Sequence, residues 1–192
     1  MEEYLKEYTA ALTACMNSLD GGEFKKIIAI LGEAYKNDKQ VFIAGNGGSA
    51  GSANHFVCDF GKNAVDFKSG KRRFRIISLS DNIEKFSAIA NDISFEETFS
   101  FQLANLMNPG DVLIVISASG SSPNVIRACE FAKSREAKII VLAGFKGGRI
   151  KDFASAAMIA DLTSYEQIED IHLMVLHMII FYIKNHPEVL GL

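Results

Sequence analysis

His55 and Asp59 stand four residues apart, and Glu169, Asp170, His172 and His177 fall within nine residues of one another. On a helix, positions i and i+4 share a face, so one metal ion can take both His55 and Asp59. A lone pair of that kind also serves as an ordinary surface hydrogen bond. The second group is harder to dismiss, because it interrupts an apolar run that is expected to be buried, and buried charges need partners. Imidazole and carboxylate ligands together suit zinc. Glu169 and His177 are about 12 Å apart along a regular helix. Sharing one ion would require convergent long side chains, an irregular first turn, or a neighbouring subunit. His172, five residues before His177, points to another side and reads as structural.

A second kind of chemistry is written in "ISASGSSPN", residues 116–124. An apolar strand ends there in four serines and a glycine, followed by a proline. Ser122 is a plausible N-cap with Pro123 at the first helical position. Ser117, Ser119 and Ser122 then offer hydroxyls, and residues 119–122 offer amides, at the positive end of a helix. Those are the parts of a phosphate site. "GNGGSAGSA", residues 45–53, follows another strand. It lacks the Gly-Lys-Ser/Thr ending of a nucleotide P-loop and matches a dinucleotide fingerprint only loosely. Its glycines allow close backbone approach to a ligand, and Asn46 can bond to hydroxyls.

The elements that must position these residues follow from periodicity. Residues 3–19, and then Phe24, Ile27, Ile28, Leu31 and Tyr35, repeat at spacings of three and four, giving two helices with "DGG" (20–22) between them. Apolar runs at 40–44, 74–79, 111–116, 138–143 and 156–160 alternate with helical segments, the first of which is expected to begin after the loop at 45–53. A last helix spans 165–185, with capping residues Thr163 and Ser164 at its start. Strands that are apolar throughout and alternate with helices predict a three-layer αβα sandwich around a five-stranded parallel sheet, flavodoxin-like, plus two N-terminal helices. Ligands in such sheets bind beyond the carboxyl ends of the strands, where both loops lie. The last helix is apolar nearly all round its middle, which predicts an oligomer.

Bulk properties narrow the function classes. The 192 residues, nearly half of them apolar and with net charge −3, fit one globular domain over 1–192 and argue against a nucleic-acid partner. The basic run "KSGKRRFR" (68–75) reads as a solvated loop. No signal peptide is visible, and the most apolar segment, 171–183, is too short to span a bilayer, so no membrane partner is expected. Three scattered cysteines without a CxxC read as reduced thiols of a cytoplasmic protein.

"FIAGNGGSAGSANHF", "SAIANDISFEETFSFQ", "GDVLIVISASGSSPNVIRA" and "QIEDIHLMVLH", in that order, resemble the bacterial phosphoheptose isomerases (sedoheptulose 7-phosphate isomerases) of the sugar isomerase (SIS) fold. The resemblance covers essentially the whole chain. It implies an aldose–ketose isomerase that makes D-glycero-D-manno-heptose 7-phosphate through an enediol, for surface heptose (lipopolysaccharide or capsule precursor) synthesis. It also implies a homotetramer with active sites between subunits, in which the helical pair 1–37 takes part. By the same match, Ser117, Ala118, Ser119 and Ser122 would bind the phosphate, and Asn46, Gly47, Gly48, Asn91 and Asp92 the sugar. His55, Asp59, Glu169 and His177 would hold one Zn2+ per site. Asp59 or Glu169 would be the base and His177 the acid/base and ligand. The family usually has glutamate at position 59 and glutamine at 169, so this chain departs at two of four ligands. The alternatives are an isomerase of another phosphosugar, a sugar-phosphate sensor, or a non-catalytic SIS interaction protein of the replication-initiator-associating type. Sensors of that kind usually carry an added DNA-binding module, for which this chain leaves no room. Four retained ligands argue against a dead site.

Overall fold

The computed structural model describes all 192 residues, Met1–Leu192. Five strands form one parallel sheet: β1 (Gln40–Gly45), β2 (Arg75–Ser78), β3 (Val112–Ser117), β4 (Lys138–Gly144) and β5 (Ala156–Ala160), in the order β2-β1-β3-β4-β5. The register sets Gly45 beside Ile116 and Ser117 beside Ala143, so the ends of β1, β3 and β4 open on the same edge. β1 and β3 are buried along their whole length. That explains why they carry no polar alternation: both faces are covered.

One face packs against α2 (Gly21–Lys36), α3 (Gly48–Asn63) and α7 (Tyr165–Asn185), with Val41, Ile43 and Ile114 inside that core. The other face packs against α5 (Ser100–Leu106) and α6 (Pro123–Ser134), with Phe42, Ala44, Leu113 and Val115 in a second core. α4 (Ile83–Asp92) precedes α5 on that side and is capped by Asn82. α1 (Glu2–Ser18) buries only Cys15 and lies along α7, to which Tyr8 is tied by a 2.7 Å hydrogen bond donated to Asp170. The two layers of helices and the sheet are the sandwich expected from the sequence.

Two local expectations are corrected. α1 ends at Ser18, just before "DGG", as expected, but "DGG" does not lie wholly between the two helices. Asp20 caps α2 by accepting from the Gly22 and Glu23 amides, and both glycines are helical. The loop after β1 is also shorter than 45–53, because α3 already starts at Gly48. Gly47 makes the turn with φ 53, a region in which a β-carbon is costly. Tertiary packing then holds a Gly/Ser-rich segment helical against its weak propensity.

The basic run is mostly exposed, as expected of a solvated loop, but two of its arginines also hold the fold. Arg73 donates to the Gly61 and Lys62 carbonyls at the end of α3, and Arg72 stacks 4.7 Å from the Tyr35 ring centre. Positive charge at a helix C-terminus is the favourable end. No helix is long and apolar enough to cross a membrane.

Candidate active site

α3 and α7 lie side by side and run the same way, since Gly48 meets Glu169 and, two turns on, His55 meets His177. The seam between them carries the candidate residues in two tiers.

The lower tier is a triad. His55 Nε2 and His177 Nε2 are 3.0 Å apart, and Asp59 Oδ2 is 3.2 Å from the first and 3.8 Å from the second. All three donor atoms lie within 4.8 Å of one another. Ligands about 2.05 Å from a tetrahedral ion are about 3.3 Å from each other. The three separations straddle that value, so this donor set fits a metal ion. Three protein ligands with room for a fourth is the arrangement of a catalytic rather than a structural site. The two imidazoles are about half exposed, at 50% and 48%, and the carboxylate 27%.

The upper tier is a cavity of about 120 Å³ at the sheet edge. Asn46 from the β1 loop, Ser117, Ala118, Ser119 and Ser122 from the β3 loop, and Glu169 from α7 line it together. Ser49 and Tyr165 line it too, although residue type and spacing alone do not single them out. Ser122 is the N-cap of α6, with Pro123 following, as expected. Its hydroxyl makes no capping bond, and neither the Ser119 nor the Ser122 amide donates within the chain. Free hydroxyls and amides at a helix N-terminus can receive an anion. The remaining loop groups hold its shape: the Gly120 amide donates to Ser117, and the Ser121 amide to Ser119 Oγ at 3.3 Å.

Glu169, the expected fourth ligand, stands outside the 4.8 Å cluster. Its carboxylate covers the first residue of α3, where a β-carbon on Gly48 would collide with Oε2. A side chain at 48 would therefore push the Glu169 carboxylate aside. Asn91 and Asp92 are exposed at the end of α4, bonded to each other at 2.8 Å, and do not line the cavity. Nor does α7 bury its charges as a group. Glu169 is half-buried, Asp170 and His177 are exposed, and only His172 is buried. An apolar composition averaged over the helix does not say which face holds the polar residues.

Comparison with known proteins decides the family. The SIS domain model matches residues 3–144. The phosphoheptose isomerase of a Nitratiruptor species is 42% identical over 147 residues, 77% of each chain. That of Helicobacter pylori is 36% identical over 183 residues, 94% of each chain. The structure of the Neisseria gonorrhoeae phosphoheptose isomerase superposes with a TM-score of 0.85 over 96% of each chain at 26% identity. The chain belongs to the phosphoheptose isomerase family.

In this member of the phosphoheptose isomerases the His177 side of the triad borders an apolar surface. A hollow of about 430 Å³ is lined by His177 with Phe24, Met178, Phe181, Tyr182 and His186. Phe181 is 73% exposed. The serine cavity and the triad therefore do not share one enclosed pocket within a single chain. They are separated along the seam by the rise from residue 169 to 177, about 12 Å.

His172 is the group on α7 outside both tiers. It is 1% exposed, and neither ring nitrogen has a hydrogen-bond partner. Burial pushes its imidazole down to about 4, with the Ala143 backbone opposing only weakly. The neutral ring is the folded form. Its contribution is complete above the unfolded value near 6.5 and is lost as pH falls towards 4, because the unfolded chain then binds a proton that the folded chain refuses. The difference corresponds to about 3 kcal/mol. The urea midpoint should fall between pH 6.5 and 4, and His172→Leu should flatten that fall. Parallel declines in the two proteins would contradict this reading.

Proposed function

We propose that this chain isomerises sedoheptulose 7-phosphate to D-glycero-D-manno-heptose 7-phosphate, working along the seam between α3 and α7. The observation that carries the reading is a match of lengths. An extended heptose phosphate runs through eight bonds from phosphorus to C1, about 10 Å at about 1.2 Å per bond, as in extended main chain. The helical rise from Glu169, in the serine cavity, to His177, in the triad, is similar at about 12 Å. With phosphate against Ser117, Ala118, Ser119 and Ser122, C1 and C2 reach the triad. The cavity itself is only about 120 Å³. It takes the phosphate and its nearest carbons, and leaves the rest of the sugar to lie along the seam.

Anchoring the phosphate far from the reacting carbons lets remote binding energy orient them. Asn46 presents its amide to the sugar hydroxyls, and Gly47 and Gly48 let the chain pass close to the backbone. Asn91 and Asp92, exposed at the end of α4, would meet the sugar only where it leaves the cavity. Conversion requires a proton to leave C1 and return to C2, with the enediol between, and a carboxylate to carry it. We assign that transfer to Asp59, which sits at the C1/C2 end. Glu169 faces the hydroxylated chain.

His55, Asp59 and His177 would hold a zinc ion, which supplies Lewis-acid stabilisation of the negative charge that develops on the enediol oxygens. A nitrogen that holds an ion does not also move a proton. His177 then acts by holding and orienting, and the proton falls to the free oxygen of Asp59.

The exposed apolar face around Phe181 and Met178, contiguous with His177, supports a homotetramer in which neighbouring chains cover the triad. Helices α1 and α2 would join that assembly, and the whole chain would act as one domain. Three free cysteines accord with a cytoplasmic protein.

The test is turnover by metal-analysed protein of sedoheptulose 7-phosphate and of five- and six-carbon ketose phosphates. The seven-carbon substrate should lead in kcat/KM by at least about 100-fold, about 2.7 kcal/mol. Zinc-loaded protein that forms no aldose phosphate, or rates independent of chain length, would reject the proposal.

A further inference from the structure

The side chain of Asn46 is not free in the cavity. Its Nδ2 donates to Asn124 Oδ1 at 2.8 Å, and its Oδ1 accepts from Asn124 Nδ2 at 2.9 Å. The two carboxamides thus form a closed pair across 78 positions of sequence. Asn124 Nδ2 spends its other hydrogen on Thr98 Oγ1 at 3.0 Å. Thr98 in turn donates to the Phe95 carbonyl at 2.9 Å. Asn124 and Thr98 are both fully buried.

These bonds have a direction that propagates. The Thr98 hydroxyl has one proton, and the Phe95 carbonyl takes it. Thr98 can therefore only accept from Asn124, which forces the amino group of Asn124 to that side. The orientation of Asn124 then dictates that of Asn46. What remains unspent on Asn46 is one N–H and one lone pair, the complement of a hydroxyl that both accepts and donates. Asn46 follows β1, and Asn124 is the second residue of α6, after the serine loop. The pair therefore ties the sugar-facing loop to the phosphate-facing loop.

We propose that Asn124, fixed by Thr98, is a positioning residue that holds the Asn46 carboxamide in its substrate-recognising orientation and fixes the spacing of the two loops. This rests on the reading of Asn46 as a sugar contact given above. Neither Asn124 nor Thr98 touches the substrate in this scheme.

The decisive variant is Asn124→Asp. Its ionised carboxylate cannot donate to Asn46 or Thr98, whereas its neutral acid donates through O–H, accepts through C=O and so rebuilds the closed pair. At high pH, kcat/KM should fall about 100-fold, the scale of a misplaced contact. Inhibition by inorganic phosphate, read in the uncharged Asn124→Ala so that no new carboxylate faces the anion, should change by less than about twofold. Divided by the wild-type value at each pH, the activity of Asn124→Asp should climb as pH falls, and that of Asn124→Ala should not. Thr98→Val should show part of the loss at every pH. A ratio that ignores pH, wild-type activity in both Asn124 variants, or phosphate inhibition lost in step with turnover would overturn the proposal.

The side-chain amide signals of Asn46 in 15N-labelled protein give a readout that needs no turnover. They should titrate in Asn124→Asp and stay fixed in wild type. Signals that behave so in a protein that does not isomerise the heptose phosphate would uphold the clamp and reject the functional reading. Signals that stay fixed in the variant would reject the clamp itself.

Discussion

Alanine at position 177 should lower kcat/KM by at least about 1,000-fold, about 4 kcal/mol of transition-state stabilisation, while leaving the fold in place. The two halves of that expectation have separate physical grounds. His177 is about half exposed, and its side chain lies outside both hydrophobic cores. Alanine is the better helix former, so α7 loses nothing by the change. The catalytic loss follows from the triad. Removing one Nε2 leaves His55 and Asp59, two ligands from a single helix, with nothing from α7 to close the set. Bound metal per chain should fall with activity, and the melting temperature should hold to within a few degrees. An active His177→Ala protein would show that the chemistry lies elsewhere. A variant that keeps its metal but loses turnover would show instead that His177 moves a proton rather than holding the ion.

The sequence carried the fold well because parallel strands announce themselves. Val41–Ala44, Val112–Ile116 and Ile139–Ala143 are apolar runs without alternation, and only a sheet covered on both faces uses such runs. It carried the start of α3 poorly. Gly48 to Ala53 reads as loop by propensity, and it is helical as the first turns of a helix whose Ala53, Phe56 and Phe60 are buried in the core. The same limit applies to the site. The serine loop, Asn46 and Glu169 could each be picked out by residue type, and they do converge on one cavity. That Glu169 belongs with the serines rather than with the histidines is set by how α3 and α7 align. Asn124 and Thr98 gave no signal, because an asparagine in the first turn of a helix and a threonine before one are ordinary residues until their partners are known.

That division of the two carboxylates makes Asp59→Asn and Glu169→Gln opposite in outcome. Asparagine at 59 keeps the shape and part of the ligating power of aspartate but cannot carry a proton, so kcat should drop by about 1,000-fold, within the usual range for a lost general base. Glutamate at 59, one methylene longer and the usual residue in the family, should retain activity. Glutamine at 169, again the usual residue, should cost less than about tenfold in kcat, since acid–base transfer is left intact. It should also lower KM. Glu169 shares its cavity with Ser117, Ser119 and Ser122, so its negative charge opposes a phosphate dianion bound there. Screening distinguishes this from a change in packing: the KM advantage of Glu169→Gln should shrink as salt is raised and the Debye length contracts. The reverse pattern, with turnover abolished by glutamine at 169 and spared by asparagine at 59, would move the proton to Glu169. It would also require the reacting carbons to sit in the upper tier, at the end of the seam where the length match puts the phosphate.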